Sequence, residues 1–283
     1  MTTSEQPLRI GKINYTNVWP IFQHFPYEFF EDEIEVVEQV PTELNEAMAR
    51  GTIDVGPISS FSFAQHADQY VLFPDLSVSA HDRVHSILLF TKKPLQQLDG
   101  CPVALPTTSA TSVHLLKMIL ERFVGVQPTY FYAQPDLETM MNTADAALLI
   151  GDDAIRSSWK QTGYEVLDLA EQWHRYTGKW MTFAVWAVRK EAASRMPETM
   201  ARIFHGFQSS KEMSTRFPED VIAAAMREIG GTRTYWQQYF QHLCYDFQEE
   251  QFDGLQHYFA LAKEMGYLQH AVSPKFWNNK SFV

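Results

Sequence analysis

A two-lobed α/β fold, with a ligand cleft between the lobes and a helical C-terminal extension, is the class this chain predicts, on three observations. Short apolar runs alternate with amphipathic ones through the first two thirds. The same strand, polar turn and helix grammar restarts at Cys101. Two apolar strands, Ser86 to Thr91 and Phe183 to Val188, are placed to carry the chain from one lobe to the other and back. At 283 residues, 45 % hydrophobic and 14 % aromatic, the chain is long and apolar enough to build two modest domains.

Taken in order, Leu8 to Ile13 reads as a strand, Trp19 to His24 as a short helix and Ile34 to Val40 as a second strand. Pro41-Thr42-Glu43 then supplies a helix start with a first-turn acid, Leu44, Ala47 and Met48 an inner face, and Gly51 a stop. Ile53 to Ile58 is the next strand, and Ser59-Ser60 opens a helix reaching about Ala67. This βαβαβ unit implies a parallel sheet with right-handed crossovers. In the second lobe, Cys101 to Leu105, Thr129 to Tyr132, Ala146 to Ile150 and Val166 to Leu169 read as strands. Thr111 to Phe123, Asp136 to Asn142 and a short segment after Asp152 read as helices. Trp173-His174-Arg175-Tyr176-Thr177-Gly178 reads as an aromatic, hydroxyl-rich loop. From Pro197 the pattern is helical, with breaks at Phe217-Pro218 and Gly230-Gly231 and a long last helix from Glu249 to Met265. Packed back on the first lobe, these helices give lobe 1 as residues 1–90 with 184–283 and lobe 2 as 91–183.

Charge and cysteine content narrow the function. A net charge of −11 with 23 scattered basic residues argues against nucleic acid, which is read through clustered cations. The stretch Met1 to Pro7 has no signal-peptide pattern and no apolar run spans a bilayer, so a cytoplasmic protein without a membrane partner is expected. Cys101 and Cys244 lack any metal-type spacing and read as reduced thiols. His81, His85 and His114 are likewise without a third ligand at a recognisable spacing, so neither metal nor cofactor is assigned. Gly-rich phosphate loops, Gly-x-Ser-x-Gly elbows and Cys-x-x-Cys pairs are absent.

Four polar loops fall at strand ends and open helices: Tyr15-Thr16-Asn17, Ser59-Ser60, Thr107 to Ser112, and Gly151-Asp152. Free N–H groups of a first helical turn, assisted by hydroxyls, hold an anion for ~0.3–1 kcal/mol. One such loop per lobe grips a dicarboxylate from both sides. Each of Ser59, Thr107 and Thr111 serves equally as an ordinary N-cap, but the Thr-Thr-Ser-Ala-Thr-Ser run exceeds what a cap needs. Asn17 is either a turn residue or the holder of a ligand hydroxyl. Asp152 is either first-turn acid or, beside a bound carboxylate, a group with a raised pKa suited to proton transfer. Trp173 and its aromatic neighbours read as packing or as the wall of a ring-shaped ligand.

These segments resemble the chorismate dehydratases of the futalosine route to menaquinone. The likeness runs through Arg9-Ile-Gly-Lys-Ile-Asn-Tyr-Thr-Asn-Val-Trp-Pro20, Pro41-Thr-Glu-Leu-Asn45, Gly51-Thr-Ile-Asp-Val-Gly-Pro-Ile-Ser-Ser60, Val84-His-Ser-Ile-Leu-Leu89, Ser109-Ala-Thr-Ser-Val-His-Leu-Leu-Lys117, Leu148-Leu-Ile-Gly-Asp152 and Glu171-Gln-Trp-His-Arg-Tyr-Thr-Gly178. Ala170 and Lys179-Trp180 depart from the family's common Gly and Leu-Pro. The resemblance implies a type II periplasmic-binding-protein fold, a cofactor-free monomer or homodimer, and chorismate, a dicarboxylate, as substrate. It also implies roles. Ser109, Thr111 and Ser112 hold one carboxylate; Ser59, Ser60 and Ser86 hold the other; Tyr15, Gly151, Trp173 and Thr177 line the site. Asn17 orients the reacting hydroxyl or its base, and Asp152 assists proton transfer, the base being either Asp152 or the substrate's own enolpyruvyl carboxylate. Two other readings stand beside it: a non-catalytic small-anion binder or sensor of the same fold, and the sister enzyme that forms dihydroxynaphthoate, whose usual Ser-Pro-Cys-Pro-Asn-Asp opening loop is absent.

Overall fold

The computed structural model describes residues 6–278; Met1 to Glu5, on which part of the N-terminal reading falls, lie outside them. The first lobe opens with β1 (Leu8–Ile13), α1 (Trp19–Phe22), β2 (Ile34–Gln39), α2 (Pro41–Arg50), β3 (Val55–Ser59), α3 (Ser60–Gln65) and β4 (Tyr70–Ala80). The second comprises β5 (Ile87–Thr91), β6 (Pro102–Pro106), α4 (Ala110–Lys117), β7 (Thr129–Ala133), α5 (Leu137–Thr143), β8 (Ala146–Ile150), α6 (Gly151–Ser158), β9 (Glu165–Asp168) and α7 (Leu169–Thr177). The chain then returns through β10 (Met181–Arg189) to α8 (Lys190–Arg195), α9 (Pro197–Arg216), α10 (Glu219–Glu228), α11 (Arg233–His242), β11 (Leu243–Cys244) and α12 (Glu249–Glu264).

Two sheets result, ordered β11-β4-β10-β3-β1-β2 and β7-β6-β8-β5-β9. β1 pairs in parallel with β2 and β3, as the βαβαβ pattern predicts, whereas β10 runs antiparallel to both β3 and β4. β5 is antiparallel to β8 and β9, so each sheet is parallel apart from the strand that carries the chain between lobes and the short edge strand β11, which is antiparallel to β4. The helix stop expected at Gly51 is a left-handed cap with φ 77°.

Three local expectations need correction. β4 has no counterpart in the sequence reading; it is an irregular strand that contains Pro74, with Asp75 at φ 56° and register shifts against β10. Ile87–Thr91, expected as a hinge strand extending the first lobe to residue 90, pairs into the second sheet. All five of its residues are buried, so alternation gives no clue to which sheet claims it. The change of sheet therefore falls in residues 81–86 and, on the return, in 178–180. Finally, Trp173 to Thr177 is helix, not loop: Asp168 caps α7 through the N–H groups of Ala170 and Glu171, and Gly178 ends it at φ 67°.

β10 is the centre of the first lobe. Trp186 is fully buried against Phe22 of α1 and Phe207 of α9, each such side chain contributing ~1.5–3 kcal/mol. The C-terminal helices thus cover the first sheet. α12 crosses further, its Tyr258 hydroxyl donating to the Thr111 carbonyl of the second lobe at 3.1 Å.

Candidate active site

The polar loops at the strand ends converge where the lobes meet. On one side, the 3-10 turn Thr16–Val18 follows β1 and faces the start of α6. Thr16 Oγ1 donates to Asp152 Oδ1 at 2.6 Å, and the Thr16 N–H points to the same oxygen at 3.4 Å. Asp152 Oδ2 has no donor among the described residues. The next residue, Asn17, keeps its carboxamide oxygen shielded from water and without a hydrogen-bond partner. Tyr15 lies flat on Gly151: at φ 60°, a Cβ there would sit 2.8 Å from the Tyr15 ring. Only glycine serves both the backbone conformation and the ring contact.

On the other side, α3 and α4 meet at their first turns. Asn45 of α2 fixes Ser59, its amide donating to Ser59 Oγ at 3.2 Å and its carbonyl accepting the Ser59 N–H at 3.0 Å. Thr111 Oγ1 accepts the Phe61 N–H across the lobes at 2.9 Å, and Phe61 stacks on His114 at 3.7 Å. Ser109 caps α4, accepting from the Ser112 N–H and donating to the Ser112 hydroxyl at 2.9 Å. Thr42 Oγ1 closes the rim on the Thr107 carbonyl at 2.9 Å.

Burial sets the electrostatics. It raises the Asp152 carboxyl above its ordinary range against the pull of the two Thr16 bonds. Asp153, half-buried beside it, is raised for the same reason. Tyr15 is pushed up to about 12, first by burial and then by both aspartates, although the Thr108 hydroxyl works the other way. A carboxyl that resists ionisation, bonded to Thr16 next to the unpartnered Asn17 amide oxygen, can hold or transfer a proton at a bound substrate.

The structure gathers Tyr15, Asn17, Ser59, Ser109, Thr111, Ser112, Gly151 and Asp152 at this junction. Ser86 is at its floor, donating to the Val84 carbonyl and accepting from the Tyr239 hydroxyl at 3.3 Å. Ser60 is not free to bind a ligand, since its hydroxyl is given to the Thr182 carbonyl of β10 at 2.7 Å. Trp173 and Thr177 are corrected too. Trp173 is fully buried, its Nε1 donating to the Trp180 carbonyl, and Thr177 Oγ1 donates back to the Trp173 carbonyl. Both belong to the α7 hinge packing, because the segment is helical and turns them into the protein. His114 is bonded to the Ala110 carbonyl of its own helix.

Four participants went unrecognised in the sequence. Thr16 holds Asp152, and Asn45 holds Ser59. Tyr235 and Tyr239, one turn apart on α11, stack over the junction. The Tyr239 hydroxyl meets Ser86, and the Tyr235 hydroxyl is buried without a partner in the field of Asp152 and Asp168. Their i, i+4 spacing marks a common face, the one signal available. Asp168 accepts N–H groups from Val84 and His85 as well as from its own helix, binding the first crossing segment to α7; burial pushes its carboxyl up to about 6. Among the described residues, the one grouping of three potential metal ligands, His81, Asp82 and His174, lies at the hinge rather than in the cleft. No helix among them is long and apolar enough to cross a membrane.

Comparison with known proteins adds a family. The family described as menaquinone biosynthesis matches residues 8–264. A chorismate dehydratase of Thermus thermophilus is 32 % identical over 92 % of this chain and 96 % of its own. A 1,4-dihydroxy-6-naphtoate synthase of the same organism is 31 % identical, but over only 50 % of each chain. Among solved structures, the periplasmic aliphatic sulphonate-binding protein of Escherichia coli superposes with a TM-score of 0.69 at 18 % identity, over 97 % of this chain and 94 % of that one, which identifies the fold.

Proposed function

The chain belongs to the menaquinone-biosynthesis family, and from that premise we propose that it is a chorismate dehydratase, a carbon–oxygen lyase forming 3-[(1-carboxyvinyl)oxy]benzoate and water. The observation that carries the choice of reaction is the match along nearly the whole of a named chorismate dehydratase. The sister synthase is matched over half its length, which weakens that alternative. A pure binding protein shares the fold, but fold alone does not decide function. A biosynthetic role of this kind supports a cytoplasmic location.

Chorismate carries a ring carboxylate, an enolpyruvyl ether with a second carboxylate, and a hydroxyl next to the ether carbon. Loss of that hydroxyl and of the proton on the ether carbon gives an aromatic ring. The proton is acidified through conjugation to the ring carboxylate, and aromatisation drives the reaction without an oxidant. The protein's task is to orient the diene and move protons. Ser109, Thr111 and Ser112 receive one carboxylate, which displaces the Thr111 hydroxyl from the Phe61 N–H. Ser59, held by Asn45, and Ser86 receive the other. Asn17 orients the departing hydroxyl with its unpartnered amide, and Asp152, positioned by Thr16, transfers the proton. Tyr15 forms one wall and the α11 tyrosines another. The lobes in this reading are residues 1–80 with 181–283, and 81–180.

Incubation of the purified protein with chorismate, followed by chromatography and mass spectrometry, tests the proposal. A product lighter by one water, formed in proportion to protein, is expected. Chorismate recovered intact despite measurable binding would return the chain to the binding-protein reading.

A further inference from the structure

Two histidines far apart in sequence meet where the chain crosses between lobes. His81 directly follows β4, at the start of the 81–86 crossing, and His174 lies in the last turn of α7, just before the 178–180 crossing. Their ring centroids are 4.0 Å apart. Asp82 Oδ1 is 3.1 Å from His81 Nδ1, and one ligand atom from each of His81, Asp82 and His174 lies within 4.8 Å of the others. His174 Nδ1 is shielded from water and has no hydrogen-bond partner, which an imidazole nitrogen inside a protein seldom tolerates unless something else uses its lone pair. The indole of Trp180 lies 5.0 Å from His81, and His81, Asp82 and Trp180 together line a solvent-connected cavity.

We propose that His81, Asp82 and His174 form a site for a zinc-class divalent ion that ties the two crossing segments together. Two imidazoles and one carboxylate, with a fourth position open to water, suit borderline ions such as Zn²⁺ rather than Mg²⁺ or Ca²⁺, which take mainly oxygen ligands. With bonds of ~2.0–2.1 Å, tetrahedral ligand atoms stand roughly 3.4 Å apart, so the widest pair must close by about 1.4 Å. The exposed Asp82 and half-exposed His81 side chains supply that movement by rotation. Because His81 directly follows β4 of the first sheet, at the start of one crossing, and His174 lies in α7 just before the other, an ion shared between them resists relative motion of the two crossing segments. The site stands apart from the cleft and does not depend on which reaction the cleft performs.

The experiment is a Zn²⁺ titration of the metal-free full chain in competition with a fluorescent zinc chelator, repeated on His81→Ala, His174→Ala and His242→Ala. Hydrogen exchange is followed over residues 81–86 and 178–180 with and without Zn²⁺. One equivalent is expected to bind, at least tenfold more weakly in each of the first two variants and unchanged in His242→Ala, which removes half of the neighbouring His85–His242 pair instead. Exchange in both crossing segments is expected to slow on binding. No saturable binding, or binding that survives both His81→Ala and His174→Ala, would overturn the site. Binding with unaltered exchange would overturn the tie between segments. His81→Ala, at a half-exposed position, keeps the test valid should His174→Ala fail to fold.

Discussion

The two sides of the cleft are built from the same parts, hydroxyls and helix starts, yet bond differently. On the Thr16–Asp152 side a hydroxyl meets a buried carboxyl at 2.6 Å, and the neighbouring Asn17 oxygen is left over. On the Ser59–Thr111 side the hydrogen bonds of Thr42 and Thr111 between lobes are neutral, a hydroxyl on a backbone carbonyl or N–H. A neutral contact worth ~0.5–1.5 kcal/mol gives way readily to a substrate carboxylate, which makes a stronger charge-assisted bond to the same N–H. A buried carboxyl is costly to hold, and burial with a raised pKa is how proteins prepare an acid or base. In the proposed reading, chemistry belongs to the first side and recognition to the second.

The largest expected effect breaks the chemical side. Asp152→Asn keeps the Thr16 bond through the amide oxygen but cannot carry the proton, so chorismate turnover falls by ~10²–10⁴ with little change in KM. The same variant sharpens the electrostatic argument. Since the folded-state pKa of Asp152 is raised, its ionised form costs stability above that pKa and nothing below about pH 4. The Asn variant therefore melts with the wild type in acid and above it at pH 7, as thermal unfolding across pH would record.

Gly151→Ala comes next. The left-handed backbone alone costs roughly 1–2 kcal/mol, and the new Cβ meets the Tyr15 ring, so both melting temperature and turnover drop. Thr111→Val tests the recognition side. With the hydroxyl gone, KM for chorismate rises roughly tenfold, or about 1.4 kcal/mol, while kcat is nearly kept. Smallest is Tyr235→Phe: its hydroxyl has no protein partner, so stability holds or rises slightly and only kcat/KM declines, by a few fold.

Much of this was legible in the chain because strands, caps and stops are local. The Gly51 stop, the βαβαβ unit and the helix starts near Thr111 and Asp152 follow from neighbours within a few residues. What required the third dimension was partnership. Nothing near Thr16 in sequence announces Asp152, and Ser60 looks as available as Ser59 until β10 takes its hydroxyl. Trp173 and Thr177 were misplaced because Asp168, the cap that starts their helix, reads equally as a strand end. The α11 tyrosines lie on an amphipathic helix whose docking face no local pattern specifies.

Steady-state kinetics of chorismate dehydration by wild type, Asp152→Asn and Thr111→Val, measured side by side, tests the division of labour most directly. The Asp152→Asn loss is expected in kcat and the Thr111→Val loss in KM. Equal losses in kcat from both variants, or a loss confined to KM in Asp152→Asn, would contradict it.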